Sequence, residues 1–165
     1  MPLGAPNPFP VPAQMGHRER LVAGMVAAVV ERGYAATTIT DVVRHARVSR
    51  RTFYEHFEDK EACFLAAYDA VSDAILTAIE GAASEHEEWP ERLRAGVRAY
   101  LDGLTAEPAL ARVFTVDILS AGPAALTRRR TVLHRFAASL RAQIATSPAP
   151  STLAIECACR RPKAP

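Results

Sequence analysis

The sequence predicts an all-α fold, and three observations predict it. Apolar residues recur at steps of three and four rather than in alternation, which is the period of helices and not of strands. Residues suited to cap helix N-termini stand directly ahead of those periodic runs. Each of the internal prolines, Pro90, Pro108 and Pro123, falls where a run begins, the one helical position that tolerates proline. Together they predict about seven helices.

Leu21, Met25 and Val29, with Val22, Val26 and Val30 beside them, form a wide stripe on a first helix that Gly33 terminates in the left-handed region. Thr38 and Asp41 have the spacing of a capping box and open a short second helix carrying Val42 and Val43. Ser49 caps a third helix with Phe53 and Phe57 on its inner face. Asp59 caps a longer fourth, whose inner positions are Phe64, Tyr68, Val71, Ile75 and Ile79. Beyond an acidic connector, Trp89 and Pro90 start a fifth with Leu93, Val97, Tyr100 and Leu104. Pro108 starts a sixth with Leu110, Val113, Phe114 and Ile118, which Gly122 and Pro123 end. The last carries Leu126, Leu133, Phe136, Leu140 and Ile144.

Composition bounds the rest. The chain has 165 residues, 49% hydrophobic and 23% charged, as globular proteins do. Its net charge of +2 is too small for a polybasic coat. No run approaches about 18 apolar residues, so no membrane span is expected, and no leader pattern opens the chain. The cysteines Cys63, Cys157 and Cys159 cannot form a disulfide framework, which fits the cytoplasm. Prolines crowd both ends, so 1–16 reads as an irregular arm and 148–165 as an irregular Pro/Ala-rich tail.

No nucleophile elbow, phosphate-binding loop, dinucleotide fingerprint or zinc-binding His pair is present, so nothing points to an enzyme, a cofactor or a metal. Glu85, His86, Glu87 and Glu88 read as an exposed loop, since no second histidine stands at ligand spacing. Cys157 and Cys159 read as solvated thiols, and His134 as packed or exposed rather than catalytic.

The second and third helices are short and meet at a tight turn, Ala46 to Val48, which is a minimal helix-turn-helix. With Phe53 and Phe57 inward, Arg51 and Glu55 point outward, flanked by Thr52 and Tyr54, with Arg50 and His56 at the edges. Arginine reads guanine bidentately, threonine touches a base or the thymine methyl, and a tyrosine hydroxyl suits phosphate. Arg44, Arg47, Arg50 and Arg51 fall in a stretch without an acid, a local positive patch on a near-neutral chain. Glu55 is discordant unless it accepts from cytosine.

Gly33-Tyr34, Thr37-Thr38, Asp41-Val42-Val43, Ala46, the run Val48 to Tyr54, His56-Phe57 and Lys60-Glu61 strongly resemble the TetR family of bacterial transcriptional regulators, over about 18–70. The resemblance implies a helix-turn-helix DNA-binding domain at 17–76 (motif about 38–57), and a helical regulatory domain at 77–147 that binds a small-molecule inducer and dimerises. It implies a pseudo-palindromic operator on double-stranded DNA and a ligand-responsive repressor. Matched to the family's contacts, Thr38 touches phosphate, Arg50, Arg51 and Thr52 begin the base-reading surface, Tyr54 and His56 anchor phosphate, and Lys60 meets phosphate at the start of the fourth helix. Ala28, Phe53 and Phe57 match core positions. Trp89, Tyr100, Phe114 and Phe136 are candidate ligand contacts, although aromatic residues at helical spacing are more often simple core, and Arg98 and Asp117 are candidate polar contacts.

Two departures set further expectations. Arg47 and Arg51 stand where the family often has glycine, so a positive φ in the turn would cost about 1 kcal/mol and operator preference cannot be transferred. The helical period stops near Ile144, short of the helices that pair subunits in the family, so a shortened regulatory domain and impaired dimerisation are expected. The alternative function is then a helical interaction module without regulatory activity of its own.

Overall fold

The computed structural model describes residues 15–145. The N-terminal arm before residue 15, the tail with Cys157 and Cys159, and the segment in which the dimer helices were expected to be missing lie outside the described residues. Among the described residues every regular element is helical: α1 (His17–Arg32), α2 (Ile39–Ala46), α3 (Arg50–His56), α4 (Lys60–Ser84), α5 (Trp89–Ala106), α6 (Pro108–Arg112), a π-helical turn (Val113–Asp117), α7 (Ile118–Ser120) and α8 (Pro123–Ala145). The expected sixth helix is therefore one rod broken by a π-turn, a feature often found at functional sites.

The expected caps form. Thr38 Oγ1 accepts from the Asp41 amide while the Asp41 carboxylate accepts from the Thr38 amide, closing the capping box of α2. Ser49 accepts from the Thr52 amide at 3.0 Å and Asp59 from the Ala62 amide at 2.7 Å. Gly33 ends α1 with φ 76° and ψ 158°, an extended conformation open to glycine rather than the left-handed helical one expected.

Leu21, Met25, Ala28, Val42, Ala46, Phe53 and Phe64 are buried where α1 to α4 meet. Each large side chain among them contributes about 1.5–3 kcal/mol by leaving water. A Cβ on Gly24 would lie 2.7 Å from the Val42 carbonyl oxygen, so only glycine lets α1 and α2 approach this closely. The buried cluster continues into Val113, Ile118, Ala125 and Val132. The helix-turn-helix head (α1 to α3 with the start of α4) and the helical body behind it thus share one core, and the boundary expected at 76 falls inside α4, a single continuous helix.

Contrary to the expectation from apolar runs, α4 is long and apolar enough to cross a membrane by length and composition. Its apolar side chains instead face α1, α5 and α8. Asp69 pairs with Arg128 at 2.6 Å, Asp73 with Arg135 at 2.6 Å, and Glu80 accepts from Ser139 at 2.8 Å, a polar ladder joining α4 to α8. That ladder moves one of the expected apolar positions of the last helix, Leu126, to the outside. Ala125, Val132 and Phe136 turn inward, whereas Leu126 and Leu133 are 40% and 50% exposed. The ion pairs and small side chains set the rotation of α8, and Leu126 is carried to its outer side while Leu133, Phe136 and Leu140 border the apolar space beside α4 and α5.

Candidate nucleic-acid interface and the cavity behind it

The helix-turn-helix is held from beneath. Phe53 and Phe57 are buried with ring centroids 5.9 Å apart, and the Arg18 guanidinium lies 5.2 Å over the Phe57 ring. In the turn, Arg47 adopts φ 54° and ψ 46°, the strained left-handed conformation anticipated for a glycine-free turn. Arg20 Nη2 donates to the Arg47 carbonyl oxygen at 2.7 Å and pins that conformation from α1. Nothing local in the sequence announces this contact, because Arg20 lies 27 positions away.

What remains outside is the start of α3. Arg50, Arg51, Tyr54, Glu55 and His56 are exposed, and Thr52 is half-buried with its hydroxyl 2.9 Å from that of Ser49. The Arg51 side chain is 91% exposed and meets Glu55 at 3.2 Å, an exposed pair worth little. Glu55 therefore has an intramolecular partner within reach. Arg50 stacks 5.9 Å from the Tyr54 ring centroid, so base-reading and phosphate-anchoring candidates sit on one surface. The His56 ring lies 6.2 Å from that of His17.

Other candidates have internal duties. Arg44 meets Asp41 at 3.3 Å and Glu31 at 3.5 Å, so its charge is offset. The positive patch narrows to Arg47 and Arg50, with Arg51 paired to the exposed Glu55 beside them. Lys60 Nζ donates to the carbonyl oxygens of Tyr34 and Thr37, each at 3.0 Å, and lies 4.3 Å over the Tyr34 ring. It straps the α1–α2 loop to α4. Thr38 is exposed at the start of α2, with its hydroxyl engaged by Asp41 at 2.7 Å. Hydrogen bonds from the Thr38 hydroxyl and amide hold the Asp41 carboxyl below the ordinary carboxylate range.

Cys63 is sealed in the same core. Burial pushes its thiol up to about 12, so it remains protonated and poorly nucleophilic. The acidic connector at Glu85 to Glu88 is exposed, as is His134.

Behind the head, α4, α5, the broken rod and α8 enclose an apolar cavity of about 280 Å³. Tyr100, Phe114 and Phe136 line it, whereas Trp89, at the start of α5, is absent from its wall. Arg98 is exposed and also absent from the wall. Asp117 turns the other way: its Oδ2 accepts from the Tyr34 amide at 3.3 Å, and its Oδ1 lies 3.7 Å from Arg112. Phe114 and Thr115 in the cavity wall thus share the π-turn with a residue that touches the head.

Residues 23–67 match the model of the N-terminal domain of the bacterial regulatory proteins of the tetR family. The chain is 29% identical over 85 residues to the transcriptional activator FasR of Mycolicibacterium smegmatis, covering 52% of this chain and 39% of that protein. It is 32% identical over 63 residues to the transcriptional regulator TcmR of Streptomyces glaucescens, covering 38% and 28%. It is 27% identical over 105 residues to the transcriptional regulator EthR of M. smegmatis, covering 62% and 48%. The matched region thus spans less than half the length of each of these relatives. Among solved structures, the transcriptional regulator FadR of Bacillus subtilis in complex with stearoyl-CoA superposes with a TM-score of 0.68 at 16% identity, over 89% of this chain and 75% of that one. FadR of Bacillus halodurans, a fatty acid degradation regulator, gives 0.65 at 18% identity, over 76% and 64%. Residues 23–67 thus resemble the N-terminal domain of the tetR family of bacterial regulatory proteins, and the helical fold that continues beyond them is shared with the FadR structures.

Proposed function

We propose that this protein is a ligand-responsive transcriptional repressor that reads a pseudo-palindromic operator through α3. The observation that carries the reading is the exposed, basic start of α3 on a buried Phe53–Phe57 base. A rigid helix with outward arginines is what the major groove admits. Two protomers would place these helices one turn of DNA apart, roughly 34–36 Å. Exposed Leu119 and Leu126, at 52% and 40%, supply apolar surface for pairing on the consecutive helices α7 and α8.

Ligand response requires that the occupant favour one of two states of the body. The cavity and the π-turn supply the means. A ligand pressing on Phe114 would shift the π-turn, and with it the Asp117 contact to the Tyr34 amide. The α1–α2 loop that Lys60 straps would move, and the spacing of the two α3 helices with it. The relatives named as transcriptional regulators support the reading, including one described as bound to stearoyl-CoA.

Gel-shift titration of the full chain on the promoter next to its own gene tests it. A discrete complex that resists competitor DNA and protects two half-sites is expected. Binding that competitor abolishes at equal mass would contradict it.

A further inference from the structure

Arg129 occupies an inward position of α8, in register with the buried Ala125 and Val132 and the partly buried Phe136. Arg129 is half-buried there, so its stem packs on the apolar face while its guanidinium sits at the edge of the cavity. Its neighbours have ion-pair partners, Arg128 with Asp69 and Arg135 with Asp73. Arg129 makes no ion pair among the described residues and is the sole charged side chain in the wall of the cavity. The Tyr68 hydroxyl, in the same wall, makes no hydrogen bond among the described residues. Burial pushes that phenol above its ordinary value, with the Arg129 charge opposing, so it stays a donor at neutral pH. Of the other hydroxyls in the wall, Thr115 donates to the Ala111 carbonyl at 2.8 Å and Ser139 to Glu80 at 2.8 Å, while Tyr100 is 37% exposed and open to solvent.

The remaining wall is aliphatic or aromatic. A second apolar space, also about 280 Å³, shares Ile75, Tyr100, Leu104 and Phe114 with the first. Each space has the liquid volume of roughly nine waters, room for the tail of a medium-sized molecule.

We propose that the cavity binds an amphipathic carboxylate, its apolar tail lying between α4, α5 and the π-turn and its head paired with Arg129 and the Tyr68 hydroxyl. The guanidinium fork matches two carboxylate oxygens. One cation balances one negative charge. A phosphate monoester would bring a second, uncompensated charge into an apolar space. The inference rests on the ligand-responsive reading above and names the ligand class of the same site.

Calorimetric titration of the full chain with decanoate, decanol, decyl phosphate and decyltrimethylammonium tests it, without DNA. Decanoate is expected to bind tightest, with decanol and decyl phosphate each weaker by about tenfold or more, the loss of one charge-assisted pair. Arg129→Met should weaken decanoate by a similar factor and leave decanol unchanged, with an unaltered melting curve showing that the variant folds. Equal binding of decanoate and decanol, preference for the phosphate or the cation, or no decanoate binding would each overturn it. The regulatory reading fails separately: a chain that binds decanoate but not its promoter loses that reading and keeps this ligand, and the converse removes the ligand alone.

Discussion

The Asp117 carboxylate accepts from the Tyr34 amide across 83 positions of sequence, linking the π-turn of the body to the loop that feeds the helix-turn-helix. Asp117 is buried, and Gly33 packs in ordinary contact with its Oδ2. Removing the acceptor leaves a part-buried amide unpaired, which costs about 1–3 kcal/mol. Asp117→Ala is therefore expected to lower the midpoint of denaturant unfolding. It should also shrink the effect of ligand on operator affinity while leaving ligand affinity unchanged. Paired titrations of ligand and DNA check this, and an undiminished ligand effect would show that Asp117 carries no signal.

Lys60 and Tyr54 separate two ways of supporting a DNA complex. Lys60 is strapped to two loop carbonyls, so Lys60→Ala is expected to destabilise the head by about 1 kcal/mol or more. Tyr54 is 51% exposed, so Tyr54→Phe should leave thermal stability unchanged and weaken binding to every DNA sequence alike. Melting curves beside salt-dependent binding distinguish them. If Lys60→Ala leaves melting unchanged and lowers the salt slope by about one, Lys60 is a phosphate contact after all.

Arg47 holds a left-handed conformation that glycine adopts freely. Arg47→Gly should stabilise the turn by up to about 1 kcal/mol, reduced by the greater entropy of the unfolded chain. Arg20→Ala should destabilise it, because the Arg47 carbonyl loses its donor. Chemical denaturation of both variants checks the pair. A destabilised Arg47→Gly would mean that the Arg47 side chain itself holds the turn.

Acid response follows from the capping box. The Asp41 carboxyl titrates below its ordinary value of 3.8, so the folded state binds fewer protons than the unfolded one there. Its contribution to stability is complete above that value and is lost as pH falls toward the folded one. Asp69 acts with the opposite sign, because burial raises it and acid favours its folded form. Asp41→Asn is therefore expected to melt lower at neutral pH and to lose less stability than the parent below about pH 4. Identical acid profiles would remove Asp41 from the account of acid unfolding.

Features that depend on neighbours in sequence were legible there. Thr38, Ser49 and Asp59 cap the helices that their spacing predicts, and Phe53 and Phe57 turn α3 as the period requires. Contacts between distant segments were not. Arg20 on Arg47 and Asp117 on Tyr34 join helices whose packing no local pattern encodes. On α8, Leu133, Phe136 and Leu140 border the cavity as the period requires, while Leu126 turns outward because small Ala125 and the pairs made by Arg128 and Arg135 decide the rotation there. The π-turn inserts an extra step that a strict helical period does not anticipate, and it turns Asp117 toward Tyr34 rather than into the cavity wall.

Base reading by the start of α3 is tested most directly at Arg51, whose side chain is 91% exposed and whose sole ion-pair partner among the described residues is Glu55. The measurement is the ratio of affinities for promoter and scrambled duplexes at one salt concentration, for the parent and for Arg51→Ala. The ratio should fall by about tenfold, the discrimination supplied by one bidentate contact. An unchanged ratio, with both affinities reduced equally, would contradict base reading at this position and leave Arg51 a phosphate contact.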